Sequence, residues 1–263
     1  IHSALEGDDK LIEEIIKIIC EKSNDDRQKL KEIYISMYGV DLSEALAKKL
    51  KGDLYSLMKD LLKTPVDFDA DAIYKAIEGL GTDDDVLIEI ISTRPGSHLL
   101  KVNKRYIELH KEEKIEKAIK GDTSGAYQKL LISMIQGKRS ENPYPNTNKM
   151  NKAVEEIKNA EKNMKESIFV KYFGSSSYSE LCTICSLYER KYKEPFLKYV
   201  EKEFSKDTTK LFISLMDYIT DSGSYFAKII NKFKPKDLNR IFVSRSEVDM
   251  DNIRKAYKEL YQV

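Results

Sequence analysis

Apolar residues recur at every third or fourth position along most of this chain. The clearest stripe comprises Leu54, Leu57, Met58, Leu61 and Leu62, and similar stripes follow at Tyr127, Leu130, Leu131 and Met134 and at Leu211, Phe212, Leu215, Met216 and Ile219. This spacing places the apolar side chains on one face of an α-helix. Few segments alternate with a period of two, and no Asn-Gly or Asp-Gly pair separates apolar runs as a hairpin turn would. The pattern therefore predicts an all-α protein.

The chain is also similar to itself. Ala4-Leu5-Glu6-Gly7 returns 72 positions later as Ala76-Ile77-Glu78-Gly79, and Val243-Ser244-Arg245 lies two units beyond Ser92-Thr93-Arg94. A unit of this length is too long for the common two-helix repeats, so each copy is expected to hold several helices. We divide the chain into copy 1 (1–63), copy 2 (64–139), a linker (140–148), copy 3 (149–220) and copy 4 (221–263), which is incomplete in this chain. The Pro- and Asn-rich linker is expected to separate two pairs of copies.

The composition limits the classes of function. Hydrophobic residues make up 41% of the 263 residues and charged residues 34%, which is typical of a globular protein. The net charge of only +1 provides no overall field that would attract nucleic acid. No apolar run approaches the roughly 18 residues of a membrane span, so membrane contact is expected to be peripheral. Three cysteines in a long Lys-rich chain indicate a reducing, cytoplasmic compartment rather than a disulfide framework.

Two short segments of copy 2 carry a metal-binding pattern. Ile77-Glu78-Gly79-Leu80-Gly81-Thr82-Asp83-Asp84 lies between two predicted helices, and Gly121-Asp122-Thr123-Ser124-Gly125 follows downstream. Two glycines at alternate positions let the backbone adopt positive φ and turn its carbonyls towards one point. Calcium takes about six to eight oxygen ligands, and carbonyls with one bidentate carboxylate supply most of them. The two segments therefore predict a calcium site with Asp122 as the carboxylate.

These motifs, at this spacing in a long multi-helix repeat, resemble those of the annexin family. The segment from Val243 to Arg254 is similar to annexin sequences as well. The resemblance implies four five-helix repeats in a curved disc that presents calcium loops to anionic phospholipid. It further implies calcium ligands: the carbonyls of Ile77, Gly79 and Gly81, the Asp122 carboxylate, and a weaker neighbouring site at the Thr82 carbonyl and Asp84. Leu80, at the loop tip, is expected either to contact the membrane or to be tucked into the loop.

The other copies depart from this pattern. Copy 1 has Gly7-Asp8-Asp9-Lys10 in place of the glycine loop, and Lys49 stands where the acid would be. Copy 3 has Glu161-Lys162-Asn163-Met164, although Glu203 still occupies the acid position. The loop of copy 4, near Phe233, is shortened or absent. We therefore expect one well-formed calcium site, in copy 2.

Each signal also has a structural interpretation. The glycine loop could be a plain interhelical turn, with Asp122 as the N-cap of the next helix. Residues Asp67, Asp69, Asp71 and Glu78 match an EF-hand spacing, but Ala72 stands where that loop needs glycine. We interpret these aspartates as residues of a helix start, where the macrodipole favours acids.

Two further patterns are interpreted as structural. Cys182 and Cys185 lie in a helical run without a second cysteine pair, which favours a buried pair over a zinc or redox site. The segment Gly137-Lys138-Arg139-Ser140 is interpreted as a solvated basic turn.

The sequence leads to two hypotheses. The first is a monomeric, non-enzymatic protein that binds anionic phospholipid membranes peripherally, with Ca²⁺ as cofactor and no affinity for nucleic acid. The second is a calcium-independent scaffold of the same fold that binds cytoskeletal or other proteins. Three degraded loops among four copies keep the second hypothesis open.

Overall fold

The computed structural model describes residues 1–6, 12–78, 81–110, 115–232 and 235–262. Within these ranges the chain forms eighteen α-helices and no strand. The predicted all-α class is therefore confirmed. None of the described helices is both long enough and apolar enough to cross a membrane.

The helices fall into three groups of five and one of three. Copy 1 contains α1 (His2–Glu6), α2 (Ile12–Glu21), α3 (Asn24–Tyr38), α4 (Leu42–Lys49) and α5 (Gly52–Leu61). Copy 2 contains α6 (Pro65–Ile77), α7 (Asp84–Thr93), α8 (Gly96–His110), α9 (Ile115–Asp122) and α10 (Gly125–Ile135). Copy 3 contains α11 (Thr147–Asn159), α12 (Lys165–Ser175), α13 (Tyr178–Tyr192), α14 (Phe196–Glu203) and α15 (Lys206–Thr220). Copy 4 contains α16 (Ser222–Lys232), α17 (Pro235–Arg245) and α18 (Met250–Tyr261).

Polar side chains set several of the helix starts. The Ser23 side chain accepts a hydrogen bond from the Asp26 N–H at the start of α3, and Ser205 does the same for the Thr208 N–H at the start of α15. At α13, Ser177 and Glu180 form a reciprocal capping box. These bonds satisfy N–H groups that have no partner within the helix.

Residues 1–68 and 226–263 form one compact unit. Its core includes the fully buried side chains of Ile15, Ile19, Leu42, Leu46 and Leu62. Arg27 ties the helices of this unit together, since its guanidinium donates to the carbonyls of Ile19 and Leu61, each at 3.0 Å, and to the Glu247 carboxylate at 3.0 Å. The apolar stripe of α5 thus lies against a core that also holds a satisfied buried cation.

Residues 69–225 form the second unit. The stripes of α10 and α15 supply its core with completely buried leucines, among them Leu130, Leu131, Leu211 and Leu215. Residues 140–148, predicted as the linker between two pairs of copies, lie within the range of this unit. On either side of them, α10 of copy 2 packs closely against α12 and α15 of copy 3. The copy boundaries themselves remain predictions, and that between 148 and 149 falls inside α11.

Arg139 is not part of a solvated turn. Its guanidinium donates to the carbonyls of Ser176, at 2.6 Å, and Phe173, at 2.8 Å, and lies 5.4 Å from the centroid of the Tyr178 ring. Burial lowers the pKa of Arg139. The last carbonyls of a helix have no partner within it, and Arg139 supplies one at the end of α12.

The aspartates at the start of α6 have different roles. Asp67 lies in its first turn, as predicted. Asp69 is buried and accepts two hydrogen bonds from Arg94, at 2.9 and 3.0 Å, while His98 Nε2 lies 2.9 Å from the same carboxylate. Burial alone would raise the pKa of Asp69, but Arg94 and His98 outweigh it and lower this pKa to about 2. Asp69 is therefore a buried ion-pair partner and not merely a residue of a helix start.

The cysteine prediction is in line with the structure. Cys185 is buried, Cys182 is half-buried, and both thiols are free. Burial raises the pKa of each thiol, so both stay protonated and poorly reactive.

Candidate metal centre

The first loop of the candidate centre joins α6 to α7. The Ala76 carbonyl accepts a hydrogen bond from the Asp83 N–H at 2.7 Å, which draws the chain back across the end of α6. Gly81 has a φ of +89°, a conformation that residues with a β-branched side chain strongly disfavour. A Cβ added to Gly81 would meet no atom within 4 Å, so only the backbone conformation demands glycine here. Gly79 and Leu80, the other predicted loop residues, lie outside the described residues.

The second loop joins α9 to α10. Asp122 is the last residue of α9, and Ser124 occupies the N-cap position of α10. The alternative in which Asp122 caps α10 is therefore wrong. The Thr123 hydroxyl donates to the Ile119 carbonyl at 2.5 Å, and the Gln128 side chain donates to the Thr123 carbonyl. These bonds fix the backbone on either side of the exposed Asp122 carboxylate.

The structure brings the two loops together, although they are forty residues apart in the sequence. The Thr82 hydroxyl donates to Asp122 Oδ2 at 3.2 Å. The Tyr127 hydroxyl donates to Asp84 Oδ1 at 2.6 Å. Ile77 ends α6, and its side chain is buried. Of the predicted ligands in the described residues, Ile77, Gly81 and Thr82 therefore belong to the first loop, and Asp122 reaches it from the second.

Three consecutive aspartates at the start of α7 have three different partners. Asp83 accepts from the Val86 N–H at 3.2 Å and so caps the helix, Asp84 accepts from Tyr127, and Asp85 forms an ion pair with Lys210 at 2.8 Å. All three also lie where the helix macrodipole favours negative charge. This acidic run therefore anchors α7 to α10 and α15.

Sequence reasoning missed Tyr127. Its ring belongs to the apolar stripe of α10 and is only 4% exposed, so the stripe gave no indication of a polar role. Burial and the hydrogen bond to Asp84 raise the pKa of Tyr127, which keeps the phenol protonated as a donor. A tyrosine in a helical stripe, one turn after a predicted ligand loop, would have been the only signal.

The chemistry of these donors fits calcium. Asp122 supplies a carboxylate, and the glycine-containing turn supplies carbonyl oxygens, which are hard ligands of the kind that calcium prefers. In the described part of the chain, no three His, Cys, Asp or Glu side chains converge closely enough to hold a metal ion. A calcium ion here would therefore depend mainly on backbone carbonyls.

The predicted neighbouring site is less favourable. The Thr82 carbonyl accepts a hydrogen bond from the Asp84 N–H at 3.0 Å. One oxygen of Asp84 accepts from Tyr127. Both predicted ligands therefore already accept hydrogen bonds within the protein. The site that contains Asp122 remains the better candidate for calcium.

A cavity of about 260 Å³ lies beside the second loop. Its lining includes five carboxylates from copies 2 and 3, those of Asp84, Asp122, Glu166, Glu203 and Asp207. Lysines partly neutralise this wall, since Lys129 lies 2.7 Å from Glu166 and Lys165 contacts Glu203. The acid positions of copies 2 and 3 therefore face one common space.

The corresponding positions of the other copies differ. Lys49 ends α4 as Asp122 ends α9, which places a cation at the acid position of copy 1. In copy 3, Glu203 ends α14 and is paired with Lys165. The first-loop residues 7–10 of copy 1 and residues 233–234 of copy 4 lie outside the described residues. Only in copy 2 does the described chain combine an acid with a glycine turn.

Comparisons with known proteins give a consistent result. A family model described as Annexin matches residues 1–61 and 68–134. Annexin A1 of Equus caballus is 36% identical over 258 residues, a match that covers 95% of this chain and 74% of that protein. The solved structure of annexin III superposes with a TM-score of 0.91 at 27% identity and covers 100% of this chain and 84% of its own. Chicken annexin V superposes with a TM-score of 0.83 at 27% identity and covers 99% and 85%.

Proposed function

This chain belongs to the annexin family, and we propose that it binds anionic phospholipid membranes through one calcium ion held in copy 2. Calcium-dependent phospholipid binding is the property for which the family is known. The proposal assigns this property to one of the four copies. Its ligands are the carbonyls of Ile77, Gly79 and Gly81 and the carboxylate of Asp122.

The single observation that carries this proposal is the contact between the two loops. Thr82 and Asp122 are hydrogen-bonded at 3.2 Å, so a carboxylate already lies against the turn whose carbonyls would complete the ligand set. The positive φ of Gly81 supports the same assignment, because it permits a tight turn of the backbone.

Asp122, Gly81 and Leu80 have different roles in the proposed site. Asp122 supplies the negative charge, and Gly81 allows the loop conformation. Leu80 is proposed to contact the membrane next to the ion. Calcium, when bound, supplies a cation that protein oxygens and a lipid phosphate can share. Because one carboxylate compensates the ion's charge incompletely, affinity without lipid should be weak and lipid should strengthen it.

The proposal describes reversible binding at a membrane surface by a monomeric cytoplasmic protein. It assigns no catalytic step and no nucleic-acid partner. Localisation at membranes would follow the calcium concentration, since the lipid contact depends on the ion.

A second function, calcium-independent scaffolding, is favoured by a specific observation. On α3, the apolar side chains of Ile33 and Met37, four residues apart on the same helix face, are 55% and 65% exposed. Apolar groups exposed close together are common in protein interaction sites. In this second function, Ile33 and Met37 would contact the protein partner.

The experiment that tests the main proposal compares Asp122→Ala with Glu203→Ala in liposome co-sedimentation. With vesicles of phosphatidylserine and phosphatidylcholine, we expect Asp122→Ala to weaken calcium-dependent binding at least about tenfold. Glu203→Ala should have little effect, because Lys165 already occupies that carboxylate. Far-UV circular dichroism should show unchanged helix content in both variants.

Two outcomes would contradict the proposal. If chelator leaves the parent protein bound to vesicles, binding does not require calcium and the scaffold function gains support. If both substitutions weaken binding equally, copy 2 is not the principal site.

A further inference from the structure

Lys165 occupies an unexpected position at the start of α12. It is the first residue of the second helix of copy 3, the place that Asp84 takes in copy 2. The acids Glu203 and Asp122 likewise end the fourth helices of their copies. A lysine in the first turn of a helix is disfavoured by the macrodipole, so this position needs compensation from elsewhere.

Glu203 provides that compensation. The Lys165 ammonium contacts the Glu203 carboxylate across 38 residues of sequence, and the two side chains are 24% and 20% exposed. Another lysine pair at the same cavity, Lys129 with Glu166, is much more exposed, at 56% and 44%. Of these two pairs, Lys165 with Glu203 is thus the better shielded from solvent, where an ion pair is worth more.

The loop before Lys165 also differs from that of copy 2. The Glu161 carbonyl accepts hydrogen bonds from the N–H groups of Met164, at 2.8 Å, and Lys165, at 3.1 Å. No residue from 160 to 164 has a positive φ. The loop is therefore a compact turn closed on itself, unlike the Gly81 turn of copy 2.

We propose that the Lys165 ammonium takes the place of a calcium ion in copy 3. This internal cation joins the start of α12 to the end of α14, much as calcium in copy 2 would join the loop that precedes α7 to the end of α9. In copy 3 the ion pair then links α12 to α14 without calcium, and this copy contributes nothing to calcium binding. The comparison with calcium rests on the proposed function of copy 2, whereas the role of the ion pair in copy 3 does not.

A double-mutant cycle tests the proposal. Lys165→Met and Glu203→Gln are made singly and together, and thermal unfolding is followed with chelator and with calcium. Each single variant is expected to lower Tm by about 2–4 °C, because either change leaves a partly buried charge unpaired. The double variant should lose little more than one single variant. Lys165→Arg, which keeps the cation, should retain most of the parent Tm.

The matched control is Lys129→Met, which removes the more exposed lysine and should change Tm much less. Losses that simply add in the double variant would overturn the proposal, because the two residues would then act independently. Calcium binding by the intact protein is measured in parallel by calorimetry. A lower stoichiometry in Glu203→Gln would overturn it as well, since copy 3 would then bind calcium itself.

The calcium data also separate this inference from the proposed function. If Asp122→Ala retains full calcium binding, the assignment of calcium to copy 2 fails. The double-mutant cycle between Lys165 and Glu203 would still decide whether the Lys165 ammonium links α12 to α14 in copy 3.

Discussion

At the scale of single residues, the candidate centre depends on backbone conformation as much as on charge. Gly81 has positive φ and open space around its Cα, so a side chain there meets no steric obstacle beyond its own backbone. Asp122 is exposed and lies at the end of a helix, which makes it available to an ion without a cost in core packing. The two residues therefore permit substitutions that separate the site from the fold.

We predict that Gly81→Val weakens calcium-dependent vesicle binding about tenfold, since strain of roughly 1–3 kcal/mol at positive φ disfavours the loop conformation. Helix content should stay as in the parent, because Gly81 lies between helices. The measurement is co-sedimentation over a calcium series, with far-UV circular dichroism on the same samples. Parent-like binding by this variant would mean that the turn is only a connection.

At the scale of secondary-structure elements, one hydroxyl joins α10 to the start of α7. Tyr127 donates to Asp84 from a buried position, while Lys210 of α15 pairs with the adjacent Asp85. The first loop of copy 2 is thus fastened at its downstream end to two neighbouring helices. Site geometry in copy 2 is therefore coupled to packing in the core of residues 69–225.

We predict that Tyr127→Phe lowers the free energy of unfolding by about 1.5–3 kcal/mol, the usual loss for a hydrogen bond to a charged group. The ring keeps its packing, so the fold should persist, but calcium-dependent binding should weaken several-fold. Urea denaturation and co-sedimentation measure the two effects. Tyr144→Phe is the matched control, since Tyr144 is 82% exposed in the linker, and equal losses in both variants would refute this role.

At the scale of the whole molecule, the fold was predictable from sequence and much of the electrostatics was not. Stripes such as Leu130 and Leu131 indicated helices because burial imposes a helical period on apolar residues. The glycine motif indicated Gly81 and Asp122, because a calcium site needs a backbone conformation that turns carbonyls towards the ion and a negatively charged ligand. With 34% of residues charged, however, no pattern distinguishes the partner of Lys165 among many acids. Pairs such as Asp69 with Arg94 arise from tertiary packing that sequence spacing does not reveal.

The buried pair of Asp69 and Arg94 predicts how stability depends on pH. The pKa of Asp69 is about 2 in the folded protein, against an ordinary value of 3.8. Because this pKa is depressed by folding, the stabilisation is present above about pH 4 and is lost as pH falls through about 2. It amounts to roughly 2 kcal/mol.

Urea denaturation of the parent and Asp69→Asn tests this prediction. At pH 7 the variant should be less stable by about 3–5 kcal/mol, because Arg94 is left buried without its partner. The difference between the two proteins should shrink by about 2 kcal/mol between pH 4 and pH 2. A difference that stays constant over this range would show that Asp69 ionisation does not contribute.

The Thr82 hydroxyl holds Asp122 through one hydrogen bond, and rotation of either side chain breaks it, which sets how quickly the carboxylate becomes available. Rotation of such a side chain takes about picoseconds to nanoseconds, far less than a movement of helices. Release of Asp122 requires no displacement of α7 or α9. At the proposed site, calcium entry should therefore be limited by diffusion, and the lifetime of the bound ion should set how soon the protein leaves a membrane when calcium falls.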